Sequence, residues 1–366
     1  MSTAALPAIA AGPYATLQAQ AHRAPQAEAL RSRRRGEWRA WSWQRLAAQA
    51  ELAARGWAAL GVLPGDRIVA LGPLGAELIV TLFAADALGA TVVLAEGAAQ
   101  AQAIGETRFA FADGTHELER LLRHRGARLR AAVVGDASVL PTSGQVDHVP
   151  LLGHAQLLAS ARAHEEPLAG AGRFPVAEVL THDGAVHRLG SPQPAAPDLG
   201  LADRVFADFA PTWLAGLQFI LHAWPVAAPL LLIPEPHGDA VADQRAARAN
   251  VWLAPAERLA AVAEQLLARV PPRGHAAWAA RAALDGRRSL AAHVARWRIR
   301  AGMGLAHTRH TVSDAALPEA TANLLTALGI TPAARTPAPA STGARNAASG
   351  STPPSPAFDR TLVTAP

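Results

Sequence analysis

Residues 41–94 read WSWQRLAAQAELAARGWAALGVLPGDRIVALGPLGAELIVTLFAADALGATVVL, and the order of helix and strand signals in this stretch decides the fold. Ser42 is placed to cap a helix, because its hydroxyl can accept a backbone N–H from the first turn. Leu46, Ala50, Ala53, Trp57 and Leu60 then recur at helical spacing. Gly61 suits the left-handed position that follows a helix end. Pro64-Gly65-Asp66 turns the chain into an apolar strand from Arg67 to Leu71. A second apolar helix runs from Ala76 to Leu88 and stops at Gly89, and Thr91 to Leu94 forms the next strand. A strand–helix–strand unit of this kind implies parallel strands joined by a right-handed crossover.

The alternation continues on the C-terminal side. His116 to Arg125 reads as helix and Ala131 to Val134 as strand. Arg204 to Phe209 and Leu230 to Ile233 read as strands on either side of a helix near Trp213 to Ala223. Val251 to Leu253 is a short strand, and Pro255 is well placed to open the helix after it. Thr308 to Val312 reads as strand, followed by helix from Pro318 to Leu328. The expected class is therefore a layered α/β domain built on a parallel sheet. Two segments break the pattern. Residues 136–200 are rich in Pro, Gly and His and only weakly periodic. Residues 331–366 are mostly Ala, Pro, Ser, Thr and Gly, too poor in apolar side chains to fold. The division expected is a flexible 1–14, a folded 15–330 and a disordered tail over 331–366.

Composition narrows the chemistry. The 366 residues include no lysine and no cysteine. Thiolate metal sites, cysteine nucleophiles and disulfides are thus excluded for this chain. The formal charge is only +5, yet the isoelectric point is about 11, because every basic charge is an arginine and arginine does not deprotonate in the ordinary range. The high value therefore argues for no nucleic-acid partner. Arg31, Arg33, Arg34 and Arg35 form the densest basic cluster and read as a solvated loop, with contact to an anion or an acidic partner as the alternative. The longest apolar run, Leu78 to Leu94, carries Asp86 in its middle, so no membrane span is expected. Met1 to Tyr14 lacks the basic start of a signal peptide, which points to the cytoplasm.

The run Trp41-Ser42-Trp43-Gln44-Arg45-Leu46, Leu60-Gly61-Val62, Pro64-Gly65-Asp66-Arg67, Glu77 and Ala87-Leu88-Gly89-Ala90 resembles the N-terminal region of AMP-binding, acyl-CoA synthetase-like enzymes. Ala202-Asp203-Arg204-Val205-Phe206 with Pro211-Thr212-Trp213-Leu214 resembles a later segment of the family, in the form found in its bacterial long-chain branch. Pro234-Glu235 with Val251-Trp252-Leu253-Ala254-Pro255 resembles the next. Val312-Ser313-Asp314-Ala315-Ala316-Leu317-Pro318, ending at Leu328-Gly329-Ile330, resembles the stretch that lines the family's adenine pocket, which makes Ser313 and Ala315 nucleotide-site candidates.

The resemblance implies the N-terminal domain of an adenylate-forming enzyme, a family that activates a carboxylate with ATP and Mg²⁺ and passes the acyl group to CoA. That chemistry places charge on phosphates and needs backbone donors and a cation. The family supplies them from a Gly/Ser/Thr loop that ends in a lysine. Two stretches match the loop in part. One is Thr142-Ser143-Gly144. The other begins at Thr181-His182-Asp183-Gly184 and ends at Gly190, with Asp183 set to repel phosphate. Neither brings a lysine. The family's metal-holding glutamate motif is expected after Ile330, where Thr331-Pro332-Ala333-Ala334 stands, and its C-terminal lid domain is expected to be missing, with the tail in its place.

The expected function is thus a degenerate synthetase homologue without catalytic residues, acting as a pseudoenzyme or as partner of a complete acyl-CoA synthetase. The alternatives are an enzyme using ATP, Mg²⁺ and CoA with a partner chain, and a non-catalytic module that holds an acyl ligand. No metal site is expected: His182 and His187, or His307 and His310, lack a third ligand at suitable spacing. Ser143 lacks the G-x-S-x-G elbow of a hydrolase nucleophile. Trp38, Trp41 and Trp43 read as closing the N-terminal edge of the core.

Overall fold

The computed structural model describes residues 12–95, 97–140, 144–146, 148–163, 168, 175–181, 185–189, 199–236, 238–268, 273–284 and 289–334. In chain order the strands are β1 (Glu28–Arg34), β2 (Glu37–Ser42), β3 (Arg67–Leu71), β4 (Thr91–Ala95) and β5 (Phe109–Ala112). There follow β6 (Ala131–Val134), β7 (Gln145–Val146), β8 (Val149–Gly153), β9 (Ala177–Leu180) and β10 (Val186–Leu189). The last are β11 (Arg204–Ala207), β12 (Leu230–Ile233), β13 (Val251–Leu253), β14 (His310–Ser313) and β15 (Thr331–Ala334).

These strands make two sheets, in the orders β15-β14-β13-β11-β12-β1-β2 and β10-β9-β4-β3-β5-β6-β8-β7. Both are parallel through their centres, as the crossover unit requires: β3 pairs in parallel with β4 and β5, and β11 with β12 and β13. At the margins the sheets are mixed, where β1–β2, β9–β10 and β7–β8 pair antiparallel. Those pairs are joined by short connections, and only antiparallel strands can be joined so tightly.

Alternate residues of a strand face opposite sides, and the buried clusters follow that period of two. Ile68 and Ala70 of β3 lie in the main core with Leu231 and Val205 of the other sheet. Val69 and Leu71 lie in a second core on the outer face of their own sheet. Phe206 and Leu232 lie in a third, on the outer face of the first sheet. The main core is filled by helices Trp43–Ala59 and Ala76–Leu88. All but Glu77 of the second helix is buried, as expected for a helix that is apolar on every side. Where the first of these helices meets helix His154–Ser160, a side chain at Gly56 would lie 2.2 Å from the Leu157 carbonyl, so only glycine fits. Trp43 and Trp224 meet at a ring separation of 4.8 Å and are both fully buried.

Most sequence-derived boundaries agree with the structure. Ser42 caps its helix by accepting the Arg45 N–H, and Gly61 and Gly89 take left-handed backbone after their helices. The strand expected to reach Phe209 ends at Ala207, and the one expected over Thr308 to Val312 lies at His310–Ser313. The helix expected over Trp213 to Ala223 runs from Leu214 to Ala227 with a π-helical stretch at Phe219–Ala223. The weakly periodic 136–200 region supplies four short strands. The first sheet also takes in Thr331–Ala334, within the segment expected to be tail, in register with His310–Ser313. Pro332 is tolerable there because β15 is an edge strand. Among the described residues no helix is long and apolar enough to cross a membrane.

The arginine cluster is not a solvated loop. Arg31, Arg33 and Arg34 lie in β1, and Arg35 opens its turn. Each meets a carboxylate: Glu28, Asp243, Asp113 with Glu77, and Asp136, respectively. Asp243 belongs with the first sheet, whereas Asp113 and Asp136 follow strands of the second. The hairpin is therefore a charged tie between the two sheets. Trp41 and Trp43 close the main core as expected, while Trp38 packs against the third.

Candidate functional site

In open parallel sheets the ends of neighbouring strands leave a crevice at their carboxyl side, and ligands bind there. A cavity of about 430 Å³ opens at that position. The second sheet contributes Pro73 and Leu74, just beyond β3. The first contributes Asp208 and Phe209 beyond β11, Pro234 and Glu235 beyond β12, and Pro255 beyond β13. Its lining is mainly apolar. Among the described residues the lining cation is Arg258, whose Nε lies 3.1 Å from Asp208 Oδ2. Glu235 faces the same cavity and its Oε2 accepts the Gly36 N–H at 3.0 Å.

Ser313 and Ala315, the adenine-pocket candidates, lie together at the carboxyl end of β14. Ser313 is buried and its hydroxyl donates to the Ala315 carbonyl at 2.8 Å. Between them Asp314 accepts the Trp213 indole N–H at 2.9 Å through Oδ2 and the Ala256 N–H at 3.1 Å through Oδ1. The second bond caps the helix Ala256–Ala268. Gly216 lets the following helix come down on this corner, since a side chain there would lie 2.4 Å from the Trp213 ring.

The two loop candidates are far apart in the fold. Gly144 takes left-handed backbone and leads into β7, at one edge of the second sheet. Thr181 ends β9 and bonds across to Ala185 at the β9–β10 hairpin, at the opposite edge. The two matches therefore do not form one site. Thr142, Ser143 and Gly190 lie outside the described residues, as does His182. Asp208 and Arg258 were not singled out by sequence, and Glu235 and Asp314 only as members of family-like segments. The signal that marks them is position: each closely follows the end of a first-sheet strand.

A second polar group lies on the other side of the hairpin. Arg34 reaches Asp113 at 2.7 Å and Glu77 at 3.6 Å. Burial, helped by Glu77 and Glu117, pushes the Asp113 carboxyl above its ordinary range despite the opposing pull of Arg34. His154 is buried, and neither ring nitrogen meets a hydrogen-bond partner among the described residues. Burial lowers its pKa, with Arg34 adding to the effect and Glu77 opposing it. Among the described residues no three His, Asp or Glu side chains converge on one point.

Residues 17–150 match the model of the family described as AMP-binding enzyme. The structure matches the adenylation domain of a carboxylate reductase from Mycobacterium chelonae with a TM-score of 0.68 at 15% identity, over 88% of this chain and 56% of that one. This is the fold of the adenylate-forming enzymes. The adenylation domain of the Segniliparus rugosus carboxylic acid reductase, solved with AMP and a co-purified carboxylic acid, gives 0.64 at 15% identity, over 88% and 58%. A long-chain-fatty-acid-CoA ligase from Archaeoglobus fulgidus gives 0.63 at 10%, over 87% and 61%. The chain thus spans a little more than half of each of these three adenylate-forming proteins. No curated protein sequence matches the chain.

The described lining of the crevice combines apolar side chains with two carboxylates and one arginine. Arg258 is held by Asp208, and Glu235 adds a further negative charge.

Proposed function

We propose that this chain is an acyl-CoA synthetase-like domain that does not by itself adenylate a carboxylate, and that its crevice holds the acyl group of a carboxylic acid. The observation that carries the reading is the absence of lysine from a chain with 34 basic residues, all arginine. In the family the phosphate loop ends in a lysine, a compact point charge, and arginine is a planar fork that does not reproduce it. The two carboxylates on the cavity wall, Asp208 and Glu235, support the same reading. The acyl preference is proposed from the apolar lining and from the carboxylic acid found in the Segniliparus rugosus domain. The cytoplasm remains the proposed compartment, and a complete synthetase the proposed partner.

Calorimetry separates the two halves of this reading. Mg–ATP is expected to give no heat, while a fatty acid binds with micromolar affinity, and acyl ligand should co-purify and be seen by native mass spectrometry. Micromolar binding of ATP or of an acyl-adenylate analogue would contradict the first half. Absence of any fatty-acid binding would contradict the second.

A further inference from the structure

Residues 273–300 contain seven arginines and a single acidic residue, Asp285. The chain as a whole carries 34 basic and 29 acidic residues, so the remainder holds 27 against 28. The entire net positive charge is therefore concentrated in this one segment. It folds as two helices, His275–Leu284 and Leu290–Gly302, that pack on one another.

The packing is inverted with respect to an ordinary surface hairpin. The buried contact between the helices is made by small residues, Ala282, Ala283 and Ala292, with Ala295 against them. Leu284 and Ile299 pack against the third core, but four large apolar side chains point outward: Leu290 is 80% exposed, Trp297 63%, Trp278 56% and Val294 46%. Leu290, Val294 and Trp297 stand at i, i+4 and i+7, one face of one helix. Half of the exposed large hydrophobic residues among the described residues belong to this hairpin. Arg298 lies exposed beside Trp297, and a groove of about 280 Å³ next to it is lined in part by His293 and Arg296. Arg300 is spent differently, bonding the carbonyls of Leu305, Thr308 and Leu328, and so ties the helix end to the first sheet's periphery.

We propose that this hairpin is a docking surface for an anionic lipid bilayer. Aliphatic and indole side chains enter the boundary between headgroups and acyl chains, while arginines at the same level meet lipid phosphates. Trp favours that depth because its ring is apolar and its N–H is polar. The charge selects the occupant: a surface with arginines and no carboxylate among its described residues complements an anionic membrane. Leu290 and Val294 favour lipid over a nucleic acid, which would use the arginines and indoles and leave the aliphatic side chains in water. The proposal is independent of whether the crevice binds ATP or an acyl chain.

The test is sedimentation of the full chain with phosphatidylglycerol-rich vesicles and with pure phosphatidylcholine vesicles. Binding is expected to the first and to be at least about tenfold weaker to the second, and to fall at high salt. The triple variant L290S/V294S/W297S should lose at least about tenfold in affinity with an unchanged melting temperature, since these side chains are exposed in the folded chain. R296Q/R298Q should weaken binding to anionic vesicles and reduce its salt dependence. Failure to bind anionic vesicles, or triple-variant binding equal to the parent's, would overturn the proposal. So would dimerisation of the parent that the triple variant abolishes, or tighter binding to single-stranded DNA than to the vesicles.

Discussion

Asp314 Oδ2 accepts the indole N–H of Trp213 at 2.9 Å, joining the end of β14 to the helix that begins at Leu214. The other oxygen of the same carboxylate caps Ala256. One side chain thus fixes two helices at the crevice. Asp314→Ala removes a cap and leaves a half-buried indole N–H without its acceptor, and is expected to cost about 2 kcal/mol. Asp314→Asn keeps one acceptor and should cost about half as much. Urea denaturation of the two variants checks the order.

Arg34→Gln leaves Asp113 and Glu77 facing one another without a cation. At neutral pH the loss is expected to be about 2–3 kcal/mol, as for other largely buried pairs broken on one side. The Asp113 carboxyl already sits above its ordinary value because of burial. A raised carboxyl favours the folded state below the unfolded pKa of 3.8, and that benefit is lost as pH rises through the folded value. Once protonated, Asp113 no longer needs Arg34. The gap between variant and parent should therefore shrink as the pH is lowered, read by denaturant midpoints across the acid range.

Tyr14 is the one tyrosine in the chain, so its ionisation can be followed directly by ultraviolet difference spectroscopy. Burial, with the Glu51 charge adding, pushes its pKa from 10.0 up to about 12. The phenol should titrate near pH 12 in the folded protein and near 10 in urea. Because the folded value is raised, the associated stability is present below pH 10 and is lost between pH 10 and 12.

His154 is buried beside Glu77 and Arg34 with its ring nitrogens unpartnered among the described residues. Its lowered pKa means that the stability tied to the neutral ring is present above 6.5 and is lost as pH falls through the folded value. His154→Leu removes an unsatisfied buried group of similar size. It should stabilise the protein by about 1 kcal/mol at pH 7 and by more in mild acid. Thermal melts of parent and variant at the two pH values check this.

The parallel heart of the fold was legible because its signals are local. Helix Ala76–Leu88 is apolar on all sides, and the Pro64-Gly65-Asp66 turn and Gly89 mark the strands on either side. The hairpin β1–β2 was not legible. Its apolar content is small, and the residues that hold it, Asp113, Asp136 and Asp243, lie 79 to 210 positions away from their arginines. Short edge strands such as β7 and β10 are held by pairing with a neighbour, a property periodicity does not report. Ser313 and Ala315 stood out in the sequence as candidates because an apolar strand and a family-like segment frame them. Glu235 lies in a family-like segment but Asp208 and Arg258 carry no motif, and only the folded strand order brings the three to one wall.

The most direct test is pyrophosphate release by the purified chain with Mg–ATP, CoA and a panel of fatty acids. An acyl-CoA synthetase-like domain with no lysine, and with carboxylates on the wall of its crevice, is predicted to release none above the no-enzyme rate. Sustained fatty-acid-dependent release would contradict the account.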